Sequence, residues 1–128
     1  MKLSTGIDII SVDRVRALME KSGERFLRRW FCAEEIAYCA AKARPSQHFA
    51  ARLAAKEAAI KAFGRGWGAG ILLREITVSV GTSGAPQMQL AGRARQIAEE
   101  SGIEELHVSI SHCTQYAVAS VIAVFRPS

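Results

Sequence analysis

A chain of 128 residues with a formal charge of +5 and a hydrophobic fraction of 49% has the size of one domain over residues 1–128, able to bury roughly two-thirds of its unfolded surface. This composition excludes a disordered or fibrous chain. The start, Met1 to Gly6, lacks a signal peptide's apolar core and the run from Tyr116 to Phe125 is too short to cross a bilayer, so a cytoplasmic protein with no membrane partner is expected.

Cys32, Cys39 and Cys113 are odd in number and form no CxxC pair, which indicates neither a disulfide framework nor a zinc site. The positive charge implies an acidic partner, without choosing among nucleic acid, an anionic protein and a phosphorylated small molecule.

In chain order, Leu3 to Ile10 reads as a short β-branched strand with Gly6 at a bulge or a close backbone approach. Alternation puts Asp8 on one face and Ile7 and Ile9 on the other, so a carboxylate sits in a strand that otherwise reads as core. From Ser11 or Val12 a helix runs to Ser22-Gly23, and another begins near Glu24. The spacing of Arg14, Lys21, Arg25 and Arg29 can line up a basic face with apolar anchors alongside: a docking surface, or a solvated face. Ala33 to Cys39 forms a further turn or two of helix, followed by the loop Lys42 to Ser46.

The helix from His48 to Gly64 is the centre of the pattern. Strong helix formers fill it without a break, and Gly64 suits the left-handed residue that closes a helix. Phe49, Leu53, Ile60 and Phe63 make an apolar ridge, and Ala51, Ala55, Ala58, Ala59 and Ala62 make a back almost free of side chains. A helix apolar nearly all round is a central one, which makes its charges informative. Glu57 with Lys61, and Arg52 with Lys56, stand one turn apart. They are either a surface pair with two snorkelling cations or buried charges offset by a ligand or a metal.

The glycine-dense run from Gly64 to Gly70 permits close approach to a ligand but lacks the GK[ST] ending of a Walker loop. Glu75 to Gly81 and Gln87 to Leu90 read as a hairpin. Gly92 to Ser101 reads as an amphipathic helix, and Leu106 to His112 and Tyr116 to Phe125 as two more strands. His112 arrives at a strand end. Its neighbour Cys113 points to the opposite face, which argues against a Cys-His dyad. The order gives an α+β fold with a largely antiparallel sheet packed on the long central helix.

Three separated stretches, Gly6-Ile7-Asp8, Phe49 to Gly64 with its Ala-Ala-Lys-Glu core and Lys61, and Ser109 to His112, resemble the holo-acyl-carrier-protein synthases, the short bacterial branch of the 4'-phosphopantetheinyl transferases. The resemblance implies that fold, a trimer with sites between subunits, and transfer of phosphopantetheine from coenzyme A to a serine of an acidic acyl carrier protein. It implies Asp8 and Glu57 as Mg2+ ligands, which suits a hard cation that also takes substrate phosphate, and Lys61 and His112 beside the pyrophosphate. Arg52, with Arg44 and His48, would hold the nucleotide's phosphates, and Pro86 and Gly64 would lie around the adenine and pyrophosphate. Arg14, Leu18, Met19, Lys21, Arg25 and Arg29 would receive the carrier. Glu57 and a metal-bound water are both candidates for the base that takes the serine proton. A nucleic-acid module fits less well, since no RNP, zinc-finger or KH pattern is present, and a catalytically idle scaffold would not need Asp8, Glu57, Lys61 and His112 together.

Overall fold

The structure, a computed structural model, describes residues 1–64 and 69–128. The chain runs β1 (Leu3–Ser11), α1 (Val12–Trp30), α2 (Ala33–Ala40), α3 (Pro45–Phe63), a short 3-10 turn (Leu73–Glu75), β2 (Ile76–Val80), β3 (Pro86–Leu90), α4 (Gly92–Ser101), β4 (Ile103–His112) and β5 (Tyr116–Phe125). All pairing is antiparallel, as expected, but the strands divide into two sheets. One has the order β1-β5-β4 and the other is the β2–β3 hairpin.

Local signals account for most boundaries. Ser11 caps α1 by accepting from the Arg14 N–H. Gly23, at φ 52° and ψ −130°, breaks the helical path inside α1, in a region where a side chain is disfavoured; this is the interruption expected at Ser22-Gly23. The central helix begins three residues earlier than expected because Pro45 occupies its first turn, where the missing N–H is harmless.

The core forms where α3 lies across β1 and β5. Phe49, Leu53, Ile60, Phe63 and the alanines of α3 are buried, as are Ala117, Ala119, Val121 and Ala123 of β5. Small residues on both surfaces let helix and sheet approach closely. At Gly6 the approach leaves no room for a side chain: a Cβ there would lie 1.9 Å from the Ala58 carbonyl oxygen and 2.9 Å from the Ala62 nitrogen.

That contact settles which face of β1 is inside, and it reverses the sequence expectation for the isoleucines. Asp8, two residues from Gly6, shares the helix-facing side, while Ile7 and Ile9 are 63% and 62% exposed on the other. With Leu3 and Ile122, they form an exposed aliphatic patch on the far face of the sheet, beside the exposed Glu105, His107, Ser109 and Ser111 of β4.

Candidate active site

Two groups of side chains gather on α3. In the first, β1 delivers Asp8 to the C-terminal half of the helix. The Lys61 ammonium donates to Asp8 Oδ1 and to the Ile7 carbonyl oxygen, each at 2.9 Å. Lys61 therefore pairs across to the strand and not with Glu57 one turn away, where a local pair would be worth only a few tenths of a kcal/mol.

Asp8 Oδ2 is buried with no N–H or hydroxyl partner. Beside it, burial and then the neighbouring Asp8 push Glu57 up to about 8. Partial burial alone would raise Asp8 too, but the hydrogen bonds from Glu57 and Lys61 and the Lys61 charge outweigh it and hold Asp8 below its usual value. Glu57 also lines a small notch of about 80 Å³ with Arg14, Leu18, Trp30 and Leu53, so Arg14 stands beside the carboxylates as well as on the surface of α1.

The pair has a consequence for stability. Above 4.5, where an unfolded glutamate loses its proton, and up to about 8, the folded chain retains a proton that the unfolded chain has lost. Stability of the metal-free protein then falls as pH rises through that window. Asp8 acts elsewhere, withdrawing stability only as pH falls below 3.8. Melting temperature measured across the window should decline, and Glu57→Gln should flatten the decline. The comparison isolates Glu57 from His48, whose lowered pKa works in the opposite direction. An unchanged slope in Glu57→Gln would remove the proton from this site.

In the second group, His48 and Arg52 of α3 meet Tyr38 of α2, Lys42 and His112 at the end of β4. The His48 and His112 rings are 5.4 Å apart, and the Arg52 guanidinium and the Lys42 ammonium each lie 4.4 Å from the Tyr38 ring centre. Burial, then the charges of His112, Arg52 and Lys42, lowers the His48 pKa. Arg52 is only 5% exposed, its Nε has no partner, and among the described residues it has no carboxylate within ion-pair distance. It opens onto a cleft of about 190 Å³ between α2 and β2. A concentrated positive charge of this kind, next to an aromatic ring, suits an anion.

The other expected positions are scattered. Arg44 is exposed at the start of α3, Gly64 closes that helix at φ 76°, and Pro86 is the half-buried first residue of β3. Residues 65–68 of the glycine-rich loop lie outside the described residues. Arg14, Lys21, Arg25 and Arg29 are all exposed on α1, with Leu18 and Met19 half-buried between them; the break at Gly23 separates the first two cations from the last two. Tyr38 had no sequence-based role, because only the fold brings it against Arg52. Of the two readings left open for Lys56, a cation snorkelling to solvent or a buried charge with a partner, the structure shows the second: it is fully buried against Glu35.

Among the described residues no three His, Cys, Asp or Glu side chains cluster as a metal site. Asp8 and Glu57 do fit a hard divalent ion: two adjacent carboxyls, one with an orphaned buried oxygen, are the donors Mg2+ takes when substrate phosphate and water complete its shell.

A sequence model of the 4'-phosphopantetheinyl transferase superfamily matches residues 4–121. The chain belongs to that superfamily. It is 46% identical over 122 residues to a holo-[acyl-carrier-protein] synthase of Koribacter versatilis, covering 95% of this chain and 98% of the relative. Among solved structures, the holo-[acyl-carrier-protein] synthase of Helicobacter pylori in complex with coenzyme A superposes with a TM-score of 0.82 at 31% identity, covering 94% and 99% of the two chains. That of Neisseria meningitidis gives 0.86 at 30% identity, covering 94% and 97%. In the transferase fold shared by these proteins, α3 and the β1-β5-β4 sheet are the scaffold on which both groups of polar side chains are mounted.

Proposed function

We propose that this chain is a holo-acyl-carrier-protein synthase, moving 4'-phosphopantetheine from coenzyme A to a serine of an apo-acyl carrier protein. The serine hydroxyl gives its proton to a base, Glu57 or a water, its oxygen bonds to the β-phosphorus of coenzyme A, the bond from that phosphorus to the bridging oxygen breaks, and adenosine 3',5'-bisphosphate leaves. The observation that carries this reading is the Asp8–Glu57–Lys61 cluster, a pair of carboxyls and an ammonium brought together beside the close approach of β1 to α3 at Gly6.

Asp8 and Glu57 would hold Mg2+, which when bound supplies charge neutralisation at the pyrophosphate. Lys61, 56% exposed at its side chain, is free to turn from Asp8 toward the phosphates and neutralise charge as it develops. Arg52, His48 and His112, with Arg44, would hold the nucleotide's phosphates, and Pro86 and Gly64 would lie around the adenine and pyrophosphate. Catalysis in this scheme is positioning and electrostatics.

The two groups on α3 also favour a trimer with shared sites. His48 and Arg52 precede Glu57 and Lys61 by nine residues each, roughly half a turn apart around the axis, and the exposed aliphatic patch of Leu3, Ile7, Ile9 and Ile122 offers a surface for another copy. Light scattering at the mass of three chains checks this. We place the enzyme in the cytoplasm, acting as one domain; among the described residues no helix is long and apolar enough to cross a membrane.

The deciding experiment incubates the protein with an apo carrier, coenzyme A and Mg2+ and follows the carrier's mass. A phosphopantetheine increment is expected, and an unmodified carrier would overturn the reading. Arg25→Glu should raise KM for the carrier by about tenfold, more at low salt, and leave KM for coenzyme A nearly unchanged, because a reversed charge opposes an acidic partner. Equal loss toward both substrates would make the basic face of α1 structural.

A further inference from the structure

The most completely buried charge among the described residues has no part in the reaction just described. Lys56 is 0% exposed, and its ammonium donates to Glu35 Oε1 at 2.7 Å, to the Leu73 carbonyl at 3.0 Å and to the Ile76 carbonyl at 2.5 Å. Glu35, 2% exposed, also accepts from the Cys32 N–H on Oε1 and from the Val78 N–H on Oε2, each at 3.0 Å. All three ammonium hydrogens and both carboxylate oxygens are thus engaged.

These five bonds join α3, the entry to α2, the turn before β2 and β2 itself. The cleft onto which Arg52 opens has those same three walls: Glu34 and Tyr38 from α2, Arg52 from α3, Thr77 and Ser79 from β2. Glu35 forms part of the lining, so the network lies directly behind it.

We propose that the Lys56–Glu35 pair is a positioning device for the nucleotide half of the site, fixing the separation of the cleft walls and the place of the Arg52 guanidinium. This rests on the reading that Arg52 holds phosphates of coenzyme A. An apolar pair of similar volume would stabilise the fold as well or better, so stability alone does not call for two buried charges; directional bonds to three backbone segments set distances that apolar packing leaves softer. The charges are also apportioned. Lys56 lies one turn from Arg52, and because Glu35 neutralises Lys56, Arg52 keeps the unmatched positive charge at the cleft.

Two variants test this, each assayed well below its melting temperature. Lys56→Met with Glu35→Leu removes both charges together, the change most compatible with folding. Glu35→Gln keeps the shape but replaces one acceptor oxygen by an NH2, which must face the Cys32 or the Val78 N–H and break that bond. Both should raise KM for coenzyme A by about tenfold, with kcat within about threefold of the parent enzyme and KM for the carrier unmoved, because positioning acts on the nucleotide half alone. Combined with Arg52→Ala, the charge-free pair should add little further increase, since the device acts through Arg52. A folded variant with the parental KM for coenzyme A, or additive effects with Arg52→Ala, would overturn the proposal and leave the phosphate reading standing. An Arg52→Ala enzyme with the parental KM would overturn the phosphate reading and this proposal with it.

Discussion

Asp8→Ala and Glu57→Ala enzymes should fold normally and lose transfer by roughly 10³-fold or more, the scale at which a group that stabilises transition-state charge is missed. Neither substitution should cost much stability. Asp8 gives up its bond to Lys61, whose ammonium is well exposed, and Glu57→Ala removes a carboxyl whose charged form the folded chain disfavours. The double variant should be hardly worse than either single one, since groups that hold one ligand act as a unit. Lys61→Ala should also lose most activity while Asp8 and Glu57 still bind the metal. Circular dichroism and the carrier's mass in millimolar Mg2+ are the readouts. A folded Asp8→Ala enzyme that modifies the carrier at near the parental rate would sink the assignment.

Gly6→Ala should be the most damaging single methyl group in the chain. Its Cβ would meet the Ala58 carbonyl oxygen at 1.9 Å and the Ala62 nitrogen at 2.9 Å, and both are backbone atoms that cannot rotate aside. Strand and helix must separate. The cost should reach about 3 kcal/mol, at the upper end for overpacking, which lowers the melting temperature by roughly 10 °C in a domain of this size. The same separation draws Asp8, two residues along β1, away from Glu57 and Lys61, so the protein that remains folded should also be less active. A Gly6→Ala melting temperature within a degree or two of the parent would show that β1 and α3 tolerate more distance than the structure gives them.

The wild-type residues at these positions show how the sequence carries its information. Elements governed by local chemistry were legible. The helix Gly92 to Ser101 and the strand Tyr116 to Phe125 have the ends that their glycines and hydrophobic periods assign, and the interruption at Gly23 follows from a conformation that favours glycine. The central position of α3 was legible too, because a helix apolar all round has to be enclosed by other elements. Where the next element takes part in deciding an end, the reading fell short. β4 begins at Ile103, three residues early, where it pairs with Phe125 across an irregular register that only β5 supplies.

What the sequence determined by itself, then, was the set of elements, the burial of α3 and the separate stretches carrying Asp8, Glu57, Lys61 and His112. Alternation along β1 sorted Asp8 from Ile7 and Ile9, and hydrophobicity read the isoleucines as core; the approach of Gly6 to Ala58 turns Asp8's face inward instead, and it is a contact between residues 52 apart in sequence. The partner of each α3 charge was likewise a tertiary matter. The sequence left these charges as either a surface pair with snorkelling cations or buried charges with partners it could not name, whereas the fold gives Asp8 to Lys61 and Glu35 to Lys56, and sets Tyr38 against Arg52. A helix wheel reports only neighbours three or four residues away, while the energy of a charge depends on burial and on whatever other segments bring within about 4 Å of it. Those distances exist only once the chain has folded.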